Sequence, residues 1–170
     1  DSSVTGVQTC ALPIFVTLVH RAQGFIVPKD NPKGILSIRD LTTDGVRFIN
    51  RQAGSGTRVL LDFELSRNDL DPDAIAGYDQ DEYTHMAVAV AVLSGKVDVG
   101  LGIKSAARAL GLDFVPLIEE RYDLLIPGAV FETEMIQTVL RVIATPLFQQ
   151  TVEAMGGYST RETGRLVPLD

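Results

Sequence analysis

Apolar positions recur along the chain in short blocks whose spacing switches between two residues and about three to four, the pattern of strands interleaved with helices. Residues 15–19 (FVTLV) read as a strand, and residues 24–27 (GFIV) as a second one ended by Pro28. The stretch 29–34 is rich in turn formers and reads as a connector. Residues 37–41 form a short helix capped by Ser37, and Asp44-Gly45 turns the chain into a strand ending at Asn50. A helix to about Asn68 follows, then a helical turn with Pro72 at its first position. Residues 84–94 are apolar nearly all round and close at Gly95, which predicts a helix buried on several sides. Val97, Val99, Leu101 and Ile103 alternate with polar or glycine positions and predict a strand. A short helix over 105–110, strands at 114–117 and 122–126, and helices over 132–144 and 145–155 complete the pattern. Strands alternating with helices imply an α/β protein with mostly parallel sheets.

The stretch on which this pattern turns is Asn50-Arg51-Gln52-Ala53-Gly54-Ser55-Gly56-Thr57-Arg58, which joins a strand to a helix. The first amides of a helix lack partners within their own turn, and the helix dipole places partial positive charge there, so an anion is a natural occupant. Gly54 and Gly56 let a ligand approach the backbone, Ser55 and Thr57 bring hydroxyls, and Arg51 and Arg58 bring charge. A capped helix start without a ligand fits the same residues.

Composition narrows the function classes. The formal net charge of -7 over 170 residues, with scattered Lys and Arg, argues against a nucleic-acid surface. The apolar runs fall short of the ~20 residues a membrane-spanning helix needs. No His, Cys or carboxylate set has metal-ligand spacing, the glycine loop lacks the lysine of a nucleotide P-loop, and no serine sits in a nucleophile elbow. The expectation is therefore a binding protein with no catalytic residues, no metal and no cofactor. The acidic residues Asp79, Asp81 and Glu82 read as a solvated loop.

Residues 1–14 stand apart. The run 4–14 (VTGVQTCALPI) matches the translation of a common sequencing-library adapter, and the segment is expected to be artefactual. It holds the single cysteine, Cys10, so cysteine usage carries no information on chemistry or compartment.

Several motifs taken together carry a family resemblance. Arg47-Phe48-Ile49-Asn50-Arg51-Gln52 with Gly54-Ser55-Gly56-Thr57-Arg58, then Gly77-Tyr78, Glu82-Tyr83-Thr84-His85, Gly95-Lys96-Val97-Asp98-Val99-Gly100-Leu101-Gly102, Glu120-Arg121-Tyr122-Asp123 and Gly156-Gly157-Tyr158 resemble the periplasmic-binding-protein-like (type 2) substrate-binding domain of prokaryotes. That domain occurs behind molybdate-regulator helix-turn-helix domains or fused to molybdopterin molybdenumtransferase, and is similar to tungstate- and molybdate-binding proteins. The resemblance implies two α/β lobes closing on a ligand, here with the N-terminal lobe truncated. Residues 15–34 and 103–170 are then the remainder of lobe 1 with its hinge and C-terminal helices, and 35–102 are lobe 2 with the glycine loop. Half the ligand shell is expected to be missing, and binding to be weak.

By the same resemblance the function is that of a sensor of a small oxyanion, molybdate or tungstate, acting on a fused or upstream helix-turn-helix or molybdopterin-biosynthesis domain. The segment itself touches neither nucleic acid nor membrane, and it resides in the cytoplasm. The alternatives are the solute-binding component of an ABC-type oxyanion transporter, outside the cytoplasm, or a structural lobe without a ligand. Ser55, Gly56 and Thr57 are the leading ligand candidates, followed by Arg51 and Arg58. Thr84 and His85, at the start of the next helix, and Tyr122 complete the set, each with a structural reading beside it: cap, hydrogen-bonded core histidine, packed tyrosine.

Overall fold

A computed structural model describes residues 12–168. Its strands are β1 (Ile14–Val27), β2 (Phe48–Arg51), β3 (Asp81–Glu82), β4 (Val99–Ile103), β5 (Asp113–Ile126), β6 (Tyr158–Ser159) and β7 (Leu166–Val167). Its α-helices are α1 (Gly56–Arg67), α2 (His85–Leu93), α3 (Lys104–Ala109), α4 (Glu134–Ile143) and α5 (Pro146–Ala154). The strands follow the order β3-β2-β4-β1-β5, with β6 and β7 also pairing with β1. β3, β2 and β4 are mutually parallel, whereas β1 is antiparallel to β4 and to β7. The sheet is therefore mixed. β2, β3 and β4, joined through α1 and α2, run parallel.

Two pairs of short predicted strands are single long ones. Residues 15–19 and 24–27 lie within the 14-residue β1, and residues 114–117 and 122–126 within the 14-residue β5. The polar steps His20-Arg21 and Glu119-Glu120-Arg121 read as breaks in an apolar pattern, but extended backbone continues through them. The polarity instead marks where the chain passes between two compact units. One unit takes the described residues up to His20, Arg121–Val152 and those from Ser159 onward; the other takes Arg21–Glu120 and Glu153–Tyr158. The lobe boundaries expected after residues 34 and 102 both lie inside the second unit.

The second unit has two cores, one on each face of its sheet. Neighbouring residues on a strand belong to opposite faces, as the period of two demands. Phe25 and Phe48 join Leu61 and Leu65 of α1, while Ile26 and Ile49 join Val88 and Val92 of α2 and Ala107 of α3. α2 is buried on only one side, for Val90 and Leu93 are half exposed. The first unit has its own smaller core of Val16, Ile126 and Ile143, with Phe131, Leu140 and Phe148 packed against it. Among the described residues, no helix is long and apolar enough to cross a membrane.

Candidate anion site

Because β3, β2 and β4 are parallel, their C-terminal ends share one edge of the sheet, and α2, α1 and α3 all begin there. That edge is where open α/β sheets place ligands. β1 runs antiparallel to β4 with Gln23 opposite Ile103, which brings Arg21 and Gln23 to the same edge.

At the end of β2, Arg51 is buried, with 8% of its surface exposed. Its Nε donates to Gln52 Oε1 at 3.1 Å and to Glu82 O at 3.2 Å, Nη1 to His85 Nδ1 at 2.9 Å, and Nη2 to Tyr83 O at 3.1 Å. Every one of these partners is neutral. A guanidinium has five N–H donors, and these bonds occupy Nε and one hydrogen on each terminal nitrogen, leaving one N–H on each. Burial, and then the charge of Arg21, lower the Arg51 pKa, although an arginine remains protonated. A buried cation to which no carboxylate is bonded among the described residues is costly until an anion arrives.

His85 opens α2, with Thr84 Oγ1 accepting from Ala87 N at 3.0 Å as its cap. Arginine cannot accept a hydrogen bond, so His85 Nδ1 must be the acceptor and the neutral ring carries its hydrogen on Nε2. Burial first, then Arg51 and Arg21, push the His85 pKa down to about 4. At neutral pH this ring is a polar, uncharged donor.

The glycine loop is built as a helix start. Gly54 lies at φ 84°, a turn conformation that suits glycine. Ser55 caps α1, its Oγ accepting from Arg58 N at 3.2 Å. The N–H groups of Gly56 and Thr57 fall in the first turn, where no carbonyl one turn back can receive them. The Thr57 hydroxyl, however, donates to Gln23 Oε1 at 2.8 Å, and Gln23 Nε2 donates to Glu120 Oε2 at 2.6 Å. Glu120 also pairs with Arg21. Thr57 therefore has its backbone to offer, and its hydroxyl hydrogen is already committed. Arg58 turns along its own helix: it bonds Asp62 at 3.1 Å and lies 4.1 Å from the centre of the Tyr78 ring. Tyr122 belongs to the first unit, where it is about half exposed.

The structure thus gathers Arg51, at a strand end, with Thr84, His85, Ser55, Gly56 and Thr57, at helix starts, along one edge, and commits Arg58 to Asp62 and Tyr78. Sequence reasoning missed Arg21 and Gln23, and read Glu120 as part of a family motif without a place at the site. Their signal was the i, i+2 spacing of Arg21 and Gln23, which puts both on one face of a strand. In the first unit, His20 sits between Glu162, 2.6 Å from its Nε2, and Arg161, 2.9 Å from its Nδ1. Among the described residues no group of three or more His, Cys, Asp or Glu side chains could hold a metal.

The model of the PBP superfamily domain matches residues 7–144. The chain belongs to that superfamily. It is 34% identical over 164 residues to the uncharacterized protein YvgK of Bacillus subtilis (strain 168), covering 96% of this chain and 51% of that protein. It therefore spans about half the length of that relative. A Clostridium pasteurianum protein from the ferredoxin 2Fe-2S gene 5′ region is 33% identical over 110 residues, covering 64% of this chain and 97% of its own. Among solved structures, L-phospholactate-bound PEB3 has a TM-score of 0.59 at 13% identity, covering 85% of this chain and 68% of that one. A substrate binding domain assigned to a molybdenum ABC transporter of Clostridium difficile has a TM-score of 0.52 at 19% identity, covering 85% and 66%. These likenesses establish the periplasmic-binding-protein-like α/β fold.

Proposed function

We propose that the unit carrying Arg51 binds a small anion and that the chain works as a noncatalytic ligand-binding domain. The observation that carries this reading is the buried Arg51, bonded among the described residues only to neutral acceptors and left there with one N–H on each terminal nitrogen. The Gly56 and Thr57 amides and the helix dipoles at the same edge add donors and positive potential. Hydrogen bonds to a charged group are worth about 1.5–3 kcal/mol each, and a helix terminus about 0.3–2 kcal/mol. Two such bonds and one terminus supply about 3–8 kcal/mol, reaching the ~8 kcal/mol of a micromolar complex only at the upper end.

Two ligand classes present the required charge. Tetrahedral oxyanions, molybdate or tungstate, are what the motif resemblance implies, and they support a cytoplasmic sensor role for a helix-turn-helix or molybdopterin-biosynthesis partner. Organic carboxylates engage the same arginine fork. A transporter role draws support from the Clostridium difficile neighbour. The test is a thermal-shift panel of molybdate, tungstate, sulfate and acetate on the chain and on Arg51→Ala. At least one anion is expected to raise the Tm of the former and none that of the latter. Equal shifts in both proteins, or none in either, would contradict the reading.

A further inference from the structure

A cavity of about 530 Å³ is lined mostly by His85, Met86, Ile103, Ala106, Ala109 and Met155. All of these residues belong to one compact unit. His85 links this cavity to the Arg51 cluster, since its Nδ1 accepts from Arg51 and the residue also lines the cavity. Beyond His85 the wall is almost wholly apolar. Ser105, which also borders the space, spends its hydroxyl on Tyr158 Oη at 3.3 Å, and Arg108 is the charged residue of the lining. The size falls within the ~300–1,000 Å³ of sites that take small organic molecules.

A bare tetrahedral oxyanion at Arg51 leaves such a space to water against methionine, isoleucine and alanine. A ligand with an apolar chain removes that surface from water and gains accordingly. The two remaining N–H groups of the guanidinium can hold two oxygens of a carboxylate or of a tetrahedral oxyanion alike, so the apolar cavity is what decides between the classes. We infer that the ligand is a small organic carboxylate whose head meets Arg51 and whose apolar chain lies along His85 into the Met86–Met155 cavity. This rests on the reading of Arg51 as the anion site and names its substrate class.

The test is calorimetry with acetate, butanoate and hexanoate, with molybdate and tungstate as inorganic anions and 1-hexanol as the neutral chain. A fully buried methylene tightens binding about fourfold, so hexanoate is expected to bind at least tenfold more tightly than acetate and more tightly than either metal oxyanion. Ala109, exposed on α3, is the place to fill the cavity without disturbing the core. Ala109→Phe is expected to flatten the chain-length dependence while acetate binding persists, and a circular dichroism melt checks its folding. A flat series, or tungstate or molybdate binding more tightly than hexanoate, overturns the inference and leaves the anion site standing. Hexanol binding as tightly as hexanoate also overturns it. Absence of binding by every anion removes the Arg51 reading itself.

Discussion

Arg51 Nη1 donates to His85 Nδ1 at 2.9 Å, so a buried cation is oriented by a ring that must stay neutral to receive it. The coupling has a sign that can be measured. The His85 pKa lies at about 4 in the folded chain, lowered by burial and then by Arg51 and Arg21, against about 6.5 when unfolded. The unfolded chain therefore binds the proton first as pH falls. Stability contributed by neutral His85 is fully present above pH ~6.5, declines toward pH ~4 and levels off below. Urea melts of the chain and of His85→Gln, compared from pH 7.5 to 4, are expected to differ in slope within that window. An NMR titration placing His85 at 6 or above would refute the pairing.

Arg51→Lys keeps the charge and loses the fork. Nε, Nη1 and Nη2 each meet a different acceptor, and an ammonium cannot span them while also presenting two donors to a ligand. Anion affinity is expected to fall by about tenfold or more, the worth of one charge-assisted bond. Equal affinity in a direct titration would show that the fork is not used.

Thr57 is expected to separate stability from binding. Its hydroxyl donates to the buried Gln23, so Thr57→Val leaves Gln23 Oε1 without that donor at a cost of about 1–3 kcal/mol. Thr57→Ser should restore most of it. Anion affinity should change little in both, because the backbone N–H of residue 57 is retained. A large affinity loss in Thr57→Val with unchanged stability would place the hydroxyl on the ligand.

Gly77 tests the packing of the loop behind β2. Its φ is 101°, and an added Cβ would stand 2.0 Å from Phe48 O, where backbone cannot yield cheaply. Gly77→Ala is expected to cost about 3 kcal/mol or more in denaturant melts, above the ordinary range of point substitutions.

Much of this arrangement was legible in the chain. The helix after the glycine loop, with Ser55 as cap, and the α2 start at Thr84 followed from residue types whose preferences are local. Long strands were less legible, because polar residues at 20–21 and 119–121 imitate a break. Arg51 was legible as a charge near the loop. Its lack of a carboxylate among the described residues was not, since that depends on which acceptors the fold brings from residues 82, 83 and 85. Arg58, equally plausible by position, is drawn aside by Asp62 one turn on and by Tyr78, a contact set by tertiary packing. The pairing of Gln23 with Glu120 escaped notice because it spans 97 residues.

The central claim is that Arg51 holds an anion within its own compact unit. Isothermal calorimetry of the chain and of Arg51→Ala, titrated with acetate, hexanoate, molybdate and tungstate at low ionic strength, tests it most directly. The account predicts saturable binding of at least one of these anions to the chain and its loss in Arg51→Ala, with both proteins folded by circular dichroism. Binding of the same strength to Arg51→Ala, or no binding to either protein, would contradict it.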